Sequence, residues 1–265
     1  MSLGKKVRLN RLFSNPSGNL FAVAIDHFTT YNMGLPTGLR DMRRTLAAII
    51  AGEPDAVTMH KGIARTCWEP YAGKLPFIMQ SSGVRPDDTA REQLATVEDA
   101  VRVGADAFAV VAFLHGPTEA YYLRTVAECV REGERLEMPV ICHVYPRDKD
   151  LKIIYEPEAI AWAVHCLTEV GVDIVKVPYC GDPVAHKQIV AQCPQPVVAA
   201  GGPKTETMQD ALQLLADAVS CGVRGGTVGR NVWGNPETIT GAVRAYRAVI
   251  HDGVAPAEAV KLVTG

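Results

Sequence analysis

The 265-residue sequence predicts an α/β protein, a single (β/α)8 barrel of the TIM type, and three observations support this. Short β-rich runs recur at regular intervals along the chain. Amphipathic helical patterns fill the gaps between them, as a parallel barrel requires. No Gly-x-Gly-x-x-Gly follows the first β-run, which disfavours the alternative, a doubly wound open sheet. With no linker, low-complexity segment or composition break, 1–265 reads as one domain, with 1–20 as an N-terminal lead-in.

In order, the strands are predicted at 21–26, 55–60, 76–81, 107–113, 139–145, 173–178, 196–200 and 222–228. Apolar, β-branched runs bounded by Gly, Pro or Asp mark each of them. Helices are predicted at 41–51, 87–103, 118–136, 157–170, 205–220 and 235–250. The second opens on Asp-Asp-Thr, a plausible N-cap. The last opens on Asn235-Pro236-Glu237, an N-cap followed by Pro at the first helical position. Alternation along the strands then separates two faces. In 21–26, Phe21, Val23 and Ile25 share one face, and Ala22, Ala24 and Asp26 the other. In 139–145, Ile141, His143 and Tyr145 oppose Val140, Cys142 and Val144. In 173–178, Ile174 and Lys176 oppose Val175 and Val177. Small residues suit the lumen, so Asp26, Tyr145 and Lys176 are expected to point inward at the C-terminal mouth, where barrels of this type place their sites.

Composition narrows the function classes. The net charge is −2, without a basic stripe, which argues against nucleic acid. No apolar run approaches the ~20 residues that span a bilayer, and the first twenty residues lack the apolar segment of a signal peptide. Seven cysteines, with no Cys-x-x-Cys pair, read as reduced thiols of a cytoplasmic protein. No metal site is expected.

The strongest chemical signal is Lys176 within Asp173-Ile174-Val175-Lys176-Val177-Pro178. A lysine against an apolar wall loses affinity for its proton, and a neutral amine attacks carbonyls to form a Schiff base. The competing reading is a lysine that snorkels out at a strand end. Tyr145 supplies a phenol able to exchange protons beside it, and Asp26 a carboxylate to hold a hydroxyl. Two Gly-rich segments, Gly201-Gly202-Pro203-Lys204 and Gly225-Gly226-Thr227-Val228-Gly229-Arg230, follow or cover the last two strands. They suit phosphate, through close-approaching backbone and the Arg230 guanidinium, or are simply tight turns. Lys61 and Lys204 are rival amines. His27 and His143 are expected near the pocket, His60 faces the lumen by parity, and Cys142 and Cys180 read as inert thiols.

Taken in order, Asp26-His27, His60-Lys61-Gly62, His143-Val144-Tyr145-Pro146-Arg147, the Lys176 strand, Gly201-Gly202-Pro203-Lys204 and Gly229-Arg230-Asn231 resemble the archaeal-type class I fructose-bisphosphate aldolase family. Its relatives include 2-amino-3,7-dideoxy-D-threo-hept-6-ulosonate synthases and autoinducer-2 phosphate thiolases. The resemblance covers residues 8–250. It implies Lys176 as the imine lysine, Tyr145 as the proton carrier and Asp26 as the strand-one aspartate. It implies phosphate on Gly201, Gly202, Gly229 and Arg230, with His27 and His143 contacting substrate. It also implies a phosphorylated small-molecule substrate, no cofactor, and a homo-oligomer, decamers being common among such enzymes. The expected reaction is C–C bond making or breaking with dihydroxyacetone phosphate or a similar phosphoketone as donor. Alternatives are acyl transfer of the thiolase type and a non-catalytic phospho-sugar-binding barrel. Three departures bear on substrate. Phe28 stands where relatives have Gly and is expected to narrow the mouth. Gly234 follows Trp233 where Gln is common. His143 occupies a position that is Trp in some fructose-bisphosphate aldolases.

Overall fold

The computed structural model describes residues 1–31 and 34–264. Eight parallel strands close into a barrel: β1 (Leu20–Ala24), β2 (Ala56–His60), β3 (Phe77–Gln80), β4 (Ala107–Leu114), β5 (Val140–Pro146), β6 (Ile174–Val177), β7 (Val197–Ala200) and β8 (Gly225–Val228). Sequence order is also spatial order, and the ring closes where Leu20 pairs with Gly225 and Val23 with Val228. Gly225 makes that closure possible. Its φ is +95°, and a Cβ there would lie 2.0 Å from the Leu20 carbonyl oxygen. The eighth strand therefore starts at Gly225, three residues later than expected.

The two faces separate as the alternation predicts. Phe21, Val23, Ile25, Val140, Cys142, Val144, Val175 and Val177 belong to the layer between barrel and helices. Leu20, Ala22, Ala109, Ile141, Ile174 and Val198 form a second, separate cluster in the lumen. The lead-in is structured: Leu3–Leu12 is a helix, and its fully buried Leu12 joins the lumen cluster and plugs the bottom. Lys5 on that helix pairs with Asp173 at 2.9 Å, and Asp173 also accepts from the Val140 N–H.

Most expected helices are present. Met42–Ile50 is capped by Asp41, Glu119–Arg135 and Pro157–Val170 lie where expected, and Met208–Ser220 is capped by Thr207. Ile239–Asp252 follows a short 3-10 turn that Asn235 caps. The helix expected over 87–103 is a correction. Only Val97–Arg102 is helical, opened by a Thr96–Asp99 capping box. Before it, Ser82–Val84 and Arg91–Gln93 form an antiparallel hairpin over the mouth. Its turn places Asp88 at φ +59°, outside helical space, and distant partners hold it there. Arg147 binds both Asp88 carboxylate oxygens at 3.1 Å, and Thr118 and Tyr122 donate to them at 2.7 and 2.6 Å. Two further helices, Lys61–Cys67 and Pro183–Gln192, complete the outer layer.

Pro183–Gln192 carries a polar group at odds with its surroundings. His186 is fully buried and packs edge-on against Tyr179, with ring centroids 5.0 Å apart. Among the described residues neither ring nitrogen has a hydrogen-bond partner. Burial lowers its pKa to about 4. An unfolded histidine titrates near ~6.5, so the unfolded chain binds this proton first, and the associated stability is lost as pH falls from 6.5 toward 4. Replacing His186 with Leu is expected to remove about 1–2 kcal/mol of the stability difference between pH 8 and pH 5. Urea melts of both proteins at the two pH values measure it; an unchanged difference would show that His186 is not the titrating group.

Candidate active site

The C-terminal mouth of the barrel encloses a cavity of about 260 Å³. Register builds its floor. Val111, His143 and Lys176 are successive Cα partners across β4, β5 and β6, and each stands two residues beyond a lumen residue, Ala109, Ile141 or Ile174. Asp26, Tyr145 and Lys176, expected to meet there, all line the cavity. So do His27, His143, Gly201, Gly202, Gly229 and Arg230.

Lys176 is 6% exposed. Burial pushes its ammonium pKa down, Asp26 pulls it back up and Arg230 pushes it down again, leaving it at about 8. A tenth of the amine is then neutral at pH 7, roughly several hundred times the fraction for an ordinary lysine. The snorkelling alternative does not describe this side chain. Burial pushes the Asp26 carboxyl up, but His27, His60, Lys176 and His143 outweigh it and bring the pKa to about 2. His27 is lowered to about 4 by burial against the pull of Asp26, its Nδ1 lying 3.4 Å from the carboxylate. His143, wholly buried, is driven well below its usual range. At neutral pH the pocket therefore holds one carboxylate, one titrating amine and two neutral imidazoles.

Gln80 organises this group and was not singled out in the sequence. Its Oε1 accepts from the Ser81 and Ser82 N–H groups at 2.9 and 3.0 Å, which fixes the amide orientation. Its Nε2 then donates to Asp26 Oδ2 at 2.9 Å and to His143 Nδ1 at 3.4 Å. The neutral His143 ring consequently carries its proton on Nε2. The signal was present: Gln80 has the parity of Ile78, a lumen residue, at the end of a barrel strand. Val111, Pro86, Ile153 and Tyr155 also line the cavity without having been anticipated; the last three come from loops that sequence periodicity does not place.

The glycine loops meet on the β7–β8 side. Gly202 has φ +70°, and its carbonyl accepts from Arg230 at 2.8 Å. Asn231 ties the loops together, donating to the Gly201 and Pro203 carbonyls and accepting from the Thr205 N–H at 3.0 Å. Gly201 uses its own N–H on the Thr227 carbonyl. Gly229 has a packing reason as well, since a Cβ would lie 2.4 Å from the His27 ring. Trp233 supports that ring edge-on at 4.9 Å and donates to the Ala24 carbonyl.

The rival amines lie elsewhere. Lys61 pairs with Asp99 at 3.0 Å, and Lys204 is exposed outside the cavity. His60 bonds Thr29 at 2.7 Å. Cys142 faces the helix layer, its thiol pKa raised by burial. Phe28 does not narrow the pocket: it is 39% exposed and does not line the cavity, because it follows His27 on a helical turn that carries its ring outward. Among the described residues, no group of three or more His, Cys, Asp or Glu is placed to hold a metal ion, and no helix is long and apolar enough to cross a membrane.

A closed parallel barrel with a buried, partly neutral lysine beside a carboxylate is the arrangement of a Schiff-base, class I aldolase. The chain belongs to the DeoC/LacD aldolase family, which it matches over residues 20–235. A 2-amino-3,7-dideoxy-D-threo-hept-6-ulosonate synthase of Halobacterium salinarum is 31% identical over 97% of this chain and 95% of its own. A 2-amino-4,5-dihydroxy-6-oxo-7-(phosphonooxy)heptanoate synthase of Streptomyces griseus is 28% identical over 88% of this chain and 85% of its own. Among solved structures, an archaeal fructose-1,6-bisphosphate aldolase with its catalytic lysine bound to the carbinolamine intermediate superposes with a TM-score of 0.82 at 25% identity, covering 93% of this chain and 99% of that one. The resemblance and barrel fold expected from sequence are thus borne out, and the protein is a class I aldolase.

The Asp26–Lys176 coupling has a measurable consequence. Reductive methylation of Lys176, followed by peptide mass spectrometry across pH, is expected to show a midpoint near 8. In Asp26→Asn the midpoint should move lower, because the carboxylate that favours the ammonium is gone. A midpoint that stays put or rises would separate the two groups.

Proposed function

We propose that this aldolase makes or breaks a C–C bond in a phosphorylated ketose-like substrate, with dihydroxyacetone phosphate or a similar phosphoketone as donor and Lys176 as the imine lysine. The observation that carries the reading is Lys176 itself: buried, with a pKa of about 8, and facing a cavity walled by Gly202, Gly229 and Arg230. The names of its relatives support phosphorylated substrates.

In this mechanism the neutral Lys176 amine attacks the donor carbonyl carbon and forms a carbinolamine, the carbonyl oxygen taking a proton. Loss of water gives the imine, whose positive nitrogen draws electrons from the adjacent carbon. That carbon loses a proton to become an enamine, which attacks the aldehyde carbon of the acceptor. The new alkoxide takes a proton, and water returns to release the product. Tyr145 serves as the proton carrier, since it lines the cavity on β5 beside β6. Asp26, held ionised and aimed by Gln80, accepts from substrate hydroxyls. His27 and His143 line the hydroxyl-bearing part of the substrate as neutral groups. Gly201, Gly202, Gly229 and Arg230 receive the phosphate, Arg230 supplying the charge.

The same reading treats 1–265 as one cytoplasmic barrel domain, to which the free cysteines lend support, and as a homo-oligomer by likeness to its family.

Borohydride added with dihydroxyacetone phosphate is expected to leave a reduced adduct on Lys176, read by peptide mass spectrometry. Lys176→Met should fold, form no adduct and lose turnover; wild-type turnover in that variant would refute the assignment. Gln80→Glu keeps the two backbone acceptor bonds but sets a second carboxylate against Asp26. It is expected to cost about 1.5–3 kcal/mol in kcat/KM at pH 7.5, roughly ten- to hundredfold. Unchanged kinetics would show that Asp26 does not need its amide partner.

A further inference from the structure

The geometry points to an acceptor aldehyde that carries no phosphate and is apolar beyond its carbonyl. This rests on the proposed aldol reaction and specifies the second of its two substrates.

Above a polar floor of Asp26, Gln80, His143, Tyr145 and Lys176, the two walls of the cavity differ. In a closed ring of eight strands in sequence order, β8 stands diametrically opposite β4. The β7–β8–β1 side presents Gly202, Gly229, Arg230 and His27. The opposite side, from the loops after β3 and β5 and from β4 itself, presents Pro86, Val111, Ile153 and Tyr155. Among the described residues that line the cavity, Arg230 carries the one fixed positive charge, on the phosphate side, while Lys176 is the titrating amine. A donor whose carbonyl carbon is on Lys176 and whose phosphate lies toward Arg230 directs its new C–C bond across the ring, toward the apolar wall.

Two arginines lie near that wall in sequence and neither lines the cavity: Arg85 donates to Thr89 Oγ1 at 3.4 Å, and Arg147 is committed elsewhere. Arg147 is fully buried and stacks over the Phe113 ring at 4.5 Å. It spends its donors on Asp88, on Thr118 Oγ1 at 2.6 Å and on the Pro86 carbonyl oxygen. The Arg147 network thus presents Pro86 to the cavity as a fixed apolar surface instead of turning a guanidinium into it. On the other loop, the Ile154 N–H bonds the Pro146 carbonyl at 3.0 Å, and Arg147 bridges to Ile153, which holds Ile153 and Tyr155 over β5. A phosphate or carboxylate placed here would lose its hydration without gaining a charge partner, a strongly unfavourable exchange. An alkyl or aryl group gains apolar contact instead.

The test uses the purified full-length protein with dihydroxyacetone phosphate as donor. Borohydride trapping with the donor alone comes first. Absence of a Lys176 adduct would overturn the aldol reading and this inference with it. With the adduct established, kcat/KM is compared for 3-methylbutanal and D-glyceraldehyde 3-phosphate. The expected result is at least a tenfold preference for 3-methylbutanal. Equal use of the two, or preference for the phosphorylated aldehyde, would overturn the inference and leave the aldol reading intact. Tyr155→Lys places a cation on the exposed rim, where the wild-type side chain is 44% exposed and the core is untouched. It is expected to move the preference at least tenfold toward glyceraldehyde 3-phosphate. An unchanged ratio would show that the acceptor does not lie against this wall.

Discussion

Everything in the pocket depends on the burial of one amine next to one carboxylate. Desolvation alone would drive Lys176 far toward neutrality and leave it unable to stabilise charge. Asp26 alone would hold it as an ammonium, unable to attack. The two act in opposition, and the balance at about 8 leaves an amine that is partly nucleophilic at neutral pH. The barrel supplies both sides of this balance. Its lumen cluster dries the floor beneath Lys176, and its closed ring brings the ends of β1 and β6, three positions apart around it, to one mouth.

Around that pair the protein arranges groups that are neutral by the same physics. His27 and His143 are buried too deeply to keep a proton, so they offer hydrogen bonds without competing with Lys176 for Asp26. Gln80 is the joint of the assembly. Its carbonyl is anchored to two backbone N–H groups at the start of the hairpin, so its amide faces Asp26 and His143. The hairpin is anchored in turn by Arg147. A single buried guanidinium therefore sets the loop over the mouth, while one amide sets the polar groups beneath it.

The two halves of the mouth are built differently. The loop after β7 lies close on β8 at Gly201, where a Cβ would lie 2.9 Å from Val228, and Gly229 leaves room for the His27 ring. Asn231 fastens the loops after β7 and β8 into one surface. The loops after β3 and β5 are longer and carry the apolar wall. Variation there leaves the Lys176 floor undisturbed, in a fold whose sites sit at strand ends and whose loops tolerate change.

The sequence by itself determined the eight barrel strands to within a few residues, their inward faces and the inward placement of Lys176. These follow from local rules: a period of two on a pleated strand, glycine and proline at the borders, and the cost of burying a lysine. Gln80 was legible by the same parity, at the end of the third strand, although nothing in its neighbours signalled its amide geometry. Tertiary structure alone decided the hairpin in place of a helix at 87–96, because the left-handed turn at Asp88 is held by Arg147, Thr118 and Tyr122 from distant parts of the chain. It also placed Phe28 outside the cavity, brought the Leu12 helix beneath the lumen, and separated the charged wall from the apolar one. Those outcomes depend on contacts between residues far apart in sequence, and local propensity carries no information about which distant partner a side chain will meet.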